Sequence, residues 1–276
     1  MKTYIRKHPL VSFVLINYMI SWIFIYPSFQ LILNAEEGTF PLLASIGIIG
    51  VFGPSIAAII VKKITHGNSG VKRLLKKLLI WKVQLKWYLF IFLIPIVLYA
   101  LSVMSTALFG YQFEEINFKE GIVSIVPLLL IALPFGPLGE ELGWRGFFLP
   151  KLLEKYTIWK SSLILGIVWT VWHLASFTLP GVTIPSVFEV SLWTLFLYLL
   201  MTIAEALLYT YVFLKTRGSV FIAIILHTVF NASSNIILTI FPQVENNVDQ
   251  RELIYITNLL LVIIVSVFLL RKNKAT

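Results

Sequence analysis

The sequence predicts an all-α polytopic integral membrane protein with about eight transmembrane helices and both termini in the cytosol. Three observations predict it. Of 276 residues, 58% are hydrophobic and only 13% charged, with a mean hydropathy of +0.89, whereas a soluble domain carries about 25% charged residues. Several apolar runs approach or exceed the ~20 residues that a helix needs to cross a bilayer. They are too long and too uniformly apolar for barrel strands, which alternate. Finally, the basic residues fall in every second loop, as they do when Lys and Arg are retained on the cytosolic side.

The first span is expected at 9–33, behind Lys2, Arg6 and Lys7. Its flank mimics a signal peptide, but the apolar run is longer than one and no small-x-small cleavage site follows. The second, at 41–61, carries Gly47, Gly50 and Gly53-Pro54, small residues that permit close helix packing. Between 72 and 86, Lys72, Arg73, Lys76, Lys77, Lys82 and Lys86 are interleaved with Leu74, Leu75, Leu78, Leu79 and Trp81. That spacing predicts an amphipathic helix on an anionic membrane surface. The third span is expected at 87–109 and the fourth at 121–142, where Pro134, Gly136, Pro137 and Gly139 predict a kink. The remaining spans are expected at 161–179, 187–214, 219–241 and 253–270, with a turn at Pro180-Gly181 and Pro185.

The loops on the other side hold Glu36, Glu37, Glu114, Glu115, Glu120, Glu245, Asp249 and Glu252, and only Lys119 and Arg251 as cations. The net charge of +9 is therefore a topology signal, and nucleic acid is not a partner; the lipid bilayer is. Residues 1–276 read as a single transmembrane domain. It belongs in the cell membrane of a prokaryote or the endoplasmic reticulum of a eukaryote.

Chemistry concentrates at Gly139-Glu140-Glu141-Leu142-Gly143-Trp144-Arg145-Gly146, at the end of an apolar run. Ionisable groups at membrane depth are costly and mark function. Glu141 and Arg145 are four apart, share a helix face and can pair. Glu140 is rotated by about 100° and faces elsewhere. His173 lies in a second apolar segment, and His227 and Asn231, again four apart, lie in a third. A carboxylate, two imidazoles and a carboxamide on three helices make a hydrolase inventory: a base, a group to orient water, and donors for an oxyanion.

Several other site types are excluded. The chain has no Cys, hence no thiolate nucleophile or Cys-ligated metal. It has no His-Glu-x-x-His, and its one aspartate, Asp249, rules out a two-aspartate protease. Gly67-Asn68-Ser69-Gly70 matches a rhomboid-like Gly-x-Ser-Gly but sits in the basic loop, and Asn231-Ala232-Ser233 is a sequon inside a span; both are coincidental. Glu205, isolated in the sixth span, has no assigned role: packing against a polar neighbour and lining the same cavity both fit. At 1.5 Å per residue, His227 lies about 12–14 Å and His173 about 18–20 Å from the cytosolic surface. The site is therefore expected in the cytosolic half, opening inward.

Glu140-Glu141…Arg145, Trp169…His173 and His227…Asn231, in that order across 128–234, resemble the CAAX prenyl protease 2 and bacteriocin-processing family of intramembrane glutamic endopeptidases. Trp169 stands where that family usually has Phe. The resemblance implies hydrolysis after a prenylated Cys, releasing the three C-terminal residues of a CAAX-type protein or peptide. Glu140, His173, His227 and Asn231 are then the catalytic residues, and Glu141, Arg145 and Trp169 support them. No cofactor is expected, although Glu140, His173 and His227 could instead hold zinc as a His₂Glu site. Bacteriocin maturation or self-immunity within the same family, and a proton- or ion-coupled transporter in which Glu140, His173 and Glu205 form a relay, are the alternatives.

Overall fold

The computed structural model describes residues 1–36, 42–113, 115–177 and 190–272. The turn expected at Pro180, Gly181 and Pro185, and the loop charges Glu37, Glu114 and Lys274, lie outside these. Among the described residues the chain is helical, with no strand. Helix is the form in which an apolar segment satisfies its own backbone in lipid. Hydroxyl side chains close three of the helix starts: Thr157 accepts from the Lys160 amide at 3.3 Å, Ser191 from Thr194 at 3.2 Å and Ser219 from Ile222 at 3.0 Å.

Among the described residues, six helices are long and apolar enough to cross a membrane. They are α2 (Pro9–Leu33), α5 (Leu85–Ser105), α9 (Ile158–His173), α10 (Leu192–Lys215), α11 (Val220–Ile240) and α12 (Val248–Lys272). A seventh crossing is the pair formed by α6 (Phe118–Ala132) and the segment from Pro137 to Leu153, bent by 53°. The kink expected before the glutamates is therefore present.

The expected span at 41–61 is not one helix. Its residues form a 3₁₀ turn (Leu42–Ile46), then α3 (Gly47–Val51), then the start of α4 (Gly53–Leu75). Pro54 in the first turn of α4 starts a new helix rather than continuing the old one. The helix then runs on through Lys62, Lys63, Lys72 and Arg73, with a break at Gly67 (φ +62°). Among the described residues the count of such helices is thus six, or seven with the bent pair as one span, against the about eight expected.

The amphipathic helix expected over 72–86 is also shorter than the leucine spacing suggests. Helix ends at Leu75, one 3₁₀ turn follows (Lys76–Leu79), and 80–84 is irregular. Leu74 is buried while Leu79 and Trp81 are exposed. Lys77 turns inward and donates to the Gly146 carbonyl at 2.7 Å, and burial pulls its ammonium down to about 8.

Helix α11 is the most buried of the candidate spans and packs against α5, α6, α10 and the short α7 (Pro137–Gly143). Around it, α10 packs on α9 and α12, and α2 on α3, α4 and α9. Tyr18 donates to the Val168 carbonyl at 2.6 Å, Trp22 to the Trp172 carbonyl at 2.9 Å, and Trp172 to Ser21 at 2.7 Å, all between α2 and α9. Helix α7 meets the break between α3 and α4 through Gly139, against Val51 and Phe52, and α4 itself through Gly143, against Pro54; one turn apart, the two glycines let the backbones touch. Ser55 seals this contact by donating to the Gly139 carbonyl at 2.5 Å.

A methyl group at Gly143 would lie 2.4 Å from the Pro54 carbonyl carbon and oxygen, which are backbone atoms that cannot swing aside. Gly143→Ala should cost about 1–3 kcal/mol, read as a lower Tm in detergent. Gly146→Ala should cost less, because its nearest neighbours are side chains at 3.1–3.4 Å. Equal melting of Gly143→Ala and the parent would mean that α4 and α7 are less closely packed than this.

Candidate active site

The break between α6 and α7 sets the site. Gly136, at φ +141°, adopts a backbone conformation open to glycine, and Pro137 opens the short α7. Seven residues of α-helix carry Glu140 and Glu141, and a π-helical turn, Trp144–Phe148, carries Trp144 and Arg145. A wide turn of this kind shifts side chains off the α-helical register and recurs at functional positions.

Glu141 and Arg145 form the expected pair, Oε1 to Nη1 at 2.7 Å, both fully buried. The guanidinium also lies 4.6 Å from the ring centres of both Trp169 and Tyr209, so two aromatic faces supplement the carboxylate. The sequence reading paired Glu141 with Arg145 alone; the structure adds His227, whose Nδ1 lies 2.9 Å from the same Oε1. A carboxylate oxygen only accepts, so that ring nitrogen donates. This one contact fixes the His227 ring and leaves Nε2 for the cavity.

Glu140 does face elsewhere, but it is not unpartnered. Its Oε2 accepts from Trp169 Nε1 at 2.7 Å and from Trp144 Nε1 at 3.1 Å. Trp169, expected as a supporting aromatic, is thus a direct donor to the carboxylate, and Trp144 escaped the sequence reading. The signal for it was present, because Trp144 stands four residues after Glu140 on the same face. Oε1 points the other way. A methyl group at Gly136 would lie 2.9 Å from Glu140 Oε1 and 3.7 Å from Asn231 Nδ2. The missing side chain therefore leaves space beside both groups.

His173 is oriented by its own helix. Its Nδ1 is 2.9 Å from the Trp169 carbonyl, one turn back. That oxygen can only accept, so Nδ1 carries the hydrogen and the neutral ring has its lone pair on Nε2. Edge-on contacts with Trp172 and Tyr198 hold the plane, with ring centres 4.7 and 5.4 Å away. A depth difference was expected between His173 and His227. The Trp169 ring bridges it, 5.7 Å from His173 and 5.3 Å from His227.

Glu140, His173, His227 and Asn231 line one cavity of about 440 Å³, together with Tyr198 and Glu205. Glu205, left without a role by the sequence, is therefore part of the same wall. The cavity lies toward one end of the bundle. Its lining comes from the second halves of α2, α5, α9 and α11 and the first halves of α10 and α12, so it runs toward the end opposite the basic loops. On the basic side, Trp144, Phe147, Phe148, Leu149 and Leu74 are packed beneath the glutamates. The sequence placed Glu140 near the inner end of a span, but the chain continues as helix to Leu153 and fills that end.

The His₂Glu alternative requires three side chains to converge on one point. Among the described residues no group of three His, Cys, Asp or Glu does so.

These features define a multi-pass helical membrane protein with a carboxylate, two histidines and a carboxamide sharing one buried cavity. The family described as Type II CAAX prenyl endopeptidase Rce1-like matches residues 122–233, a stretch that contains every one of these groups. CAAX prenyl protease 2 of Methanococcus maripaludis is similar as well: 28% identical over 195 residues, covering 68% of this chain and 70% of that protein. The resemblance read from the three motifs is borne out, and both findings support an intramembrane endopeptidase similar to CAAX prenyl protease 2.

Replacing Glu141 by Gln leaves the Arg145 guanidinium buried without its charge partner and unties His227. Such a break typically costs about 3–5 kcal/mol. Glu141→Gln should therefore lower both Tm in detergent and any activity. An active variant of unchanged Tm would remove Glu141 from the role of anchor.

Proposed function

We propose that the protein hydrolyses the peptide bond after a prenylated Cys at the C-terminus of a CAAX-type protein, with Glu140 as general base. The observation that supports it best is the division of labour in Glu140: Oε2 is held by two indoles, while Oε1 faces the space beside Gly136 and Asn231. Water in that space donates one hydrogen to Oε1. His173 Nε2 accepts the other, which aims the oxygen lone pair at the scissile carbonyl. As the water attacks, its proton passes to Glu140 and a tetrahedral oxyanion forms. Glu140 then returns that proton to the leaving amine.

Asn231 Nδ2 donates to the oxyanion. His227 can do so only as imidazolium, because Nδ1–H is already committed to Glu141. The family match and the archaeal relative support the substrate class, and a prenyl chain suits a cavity walled by Phe, Ile, Leu and Tyr inside a bilayer.

The assay is purified protein with a farnesylated Cys-a-a-X peptide, products read by mass. Glu140→Gln should abolish cleavage while Tm stays near that of the parent. Asn231→Ala should lower kcat by about 10²–10³ with little change in KM, since that bond strengthens only in the transition state. Turnover by Glu140→Gln would remove the carboxylate from the reaction.

The mechanism proposed needs no metal. Dialysed protein should stay active in a strong chelator and hold less than stoichiometric zinc. Loss of activity on chelation, with recovery on adding zinc back, would replace it with a metal-dependent mechanism.

A further inference from the structure

One cation in the cavity is left unexplained by the reaction above. Arg251, in the first turn of α12, lines the cavity that holds Glu140 and Asn231. Its Nε is buried without a hydrogen-bond partner, and Arg251 has no ion pair among the described residues. A guanidinium is costly to desolvate and ordinarily pairs when it is buried. The adjoining turn, Pro242–Asn246, contributes Val244 to the cavity wall and carries Gln243, whose side-chain oxygen and nitrogen are likewise buried and unpartnered. Sequence reading had left Arg251 as one of two stray cations on the poorly basic side.

We infer that Arg251 binds the terminal α-carboxylate of the substrate and so measures three residues from the scissile bond. This rests on the function proposed above. A carboxylate is the ligand whose two oxygens match the guanidinium fork, and a chain terminus is the part of a C-terminal tripeptide that every such substrate shares.

The spacing agrees. Asn231 lies nine residues before the end of α11, about 13 Å, and Arg251 three residues into the antiparallel α12, about 4–5 Å. Taking the end of α11 and the start of α12 as level, the two positions differ by roughly 9 Å along the helix axes. Three extended residues span about 10 Å. A tripeptide whose first bond lies at Asn231 and Glu140 is thus of the right length to extend its carboxylate toward Arg251 within the cavity that all three line, whatever its side chains.

The test uses two farnesylated peptides that differ only at the C-terminus, one a free acid and one a carboxamide. For the parent protein, amidation should lower kcat/KM by about 10²-fold, mainly through KM. Arg251→Gln should lower kcat/KM for the acid by a similar factor and leave the amide nearly unchanged, so that the two changes are not additive. Arg251→Lys should recover part of the loss on the acid.

Equal cleavage of acid and amide by the parent would overturn the assignment while leaving the protease reading intact, and it needs no variant. So would a loss in Arg251→Gln that is the same for both peptides. Cleavage of neither peptide by the parent would overturn the protease reading, and the carboxylate site with it.

Discussion

The structure turns on one buried carboxylate, Glu141. It holds Arg145 within its own segment and His227 from α11 through a single oxygen, with no exposure to solvent. Arg145 in turn is clasped by Trp169 of α9 and Tyr209 of α10. Four helical segments are thus referenced to one charge. In a low-dielectric interior such a cluster is stable only when every charge has its partners, which makes its geometry all-or-none rather than adjustable. The second carboxylate inherits that rigidity: of its two donors, Trp144 precedes Arg145 in sequence and Trp169 lies against the guanidinium.

Much of the fold was legible because lipid imposes so strict a rule. Apolar length gave α2 and α11 to within a residue and α5, α10 and α12 to within about five, and the Pro and Gly cluster at 134–139 gave the broken crossing. The stretch at 41–61 misled for a specific reason. Hydropathy counts side chains, whereas Gly53-Pro54 acts on the backbone and starts a new helix that runs into the basic segment. The leucines at 74–79 misled through tertiary packing: Leu74 is drawn inward toward Gly146, and Lys77 follows it.

The site was legible in its parts and less so in its wiring. Spacing of four gave the Glu141–Arg145 contact and placed His227 with Asn231. Spacing carries nothing about which face of one helix meets which face of another. The Glu141–His227 contact, across 86 residues, and the indole donors to Glu140 therefore came only with the packing. Cavity direction was hidden for the same reason, since it depends on how 144–153 folds back beneath the glutamates. In the sequence Gly136 reads only as part of the kink and Arg251 only as a loop cation, because carboxylates and imidazoles inside spans are the signal of a site.

The two indoles on Glu140 also bear on how a reaction there would end. Under the function proposed, hydrolysis leaves a new carboxylate on the prenylated Cys, formed beside Glu140 Oε1. Two anions at that distance, shielded from water, repel each other strongly. Glu140 cannot turn aside, because both donors grip its other oxygen. The product therefore bears the strain and departs, so that the grip which aims the catalyst also clears the site for the next substrate.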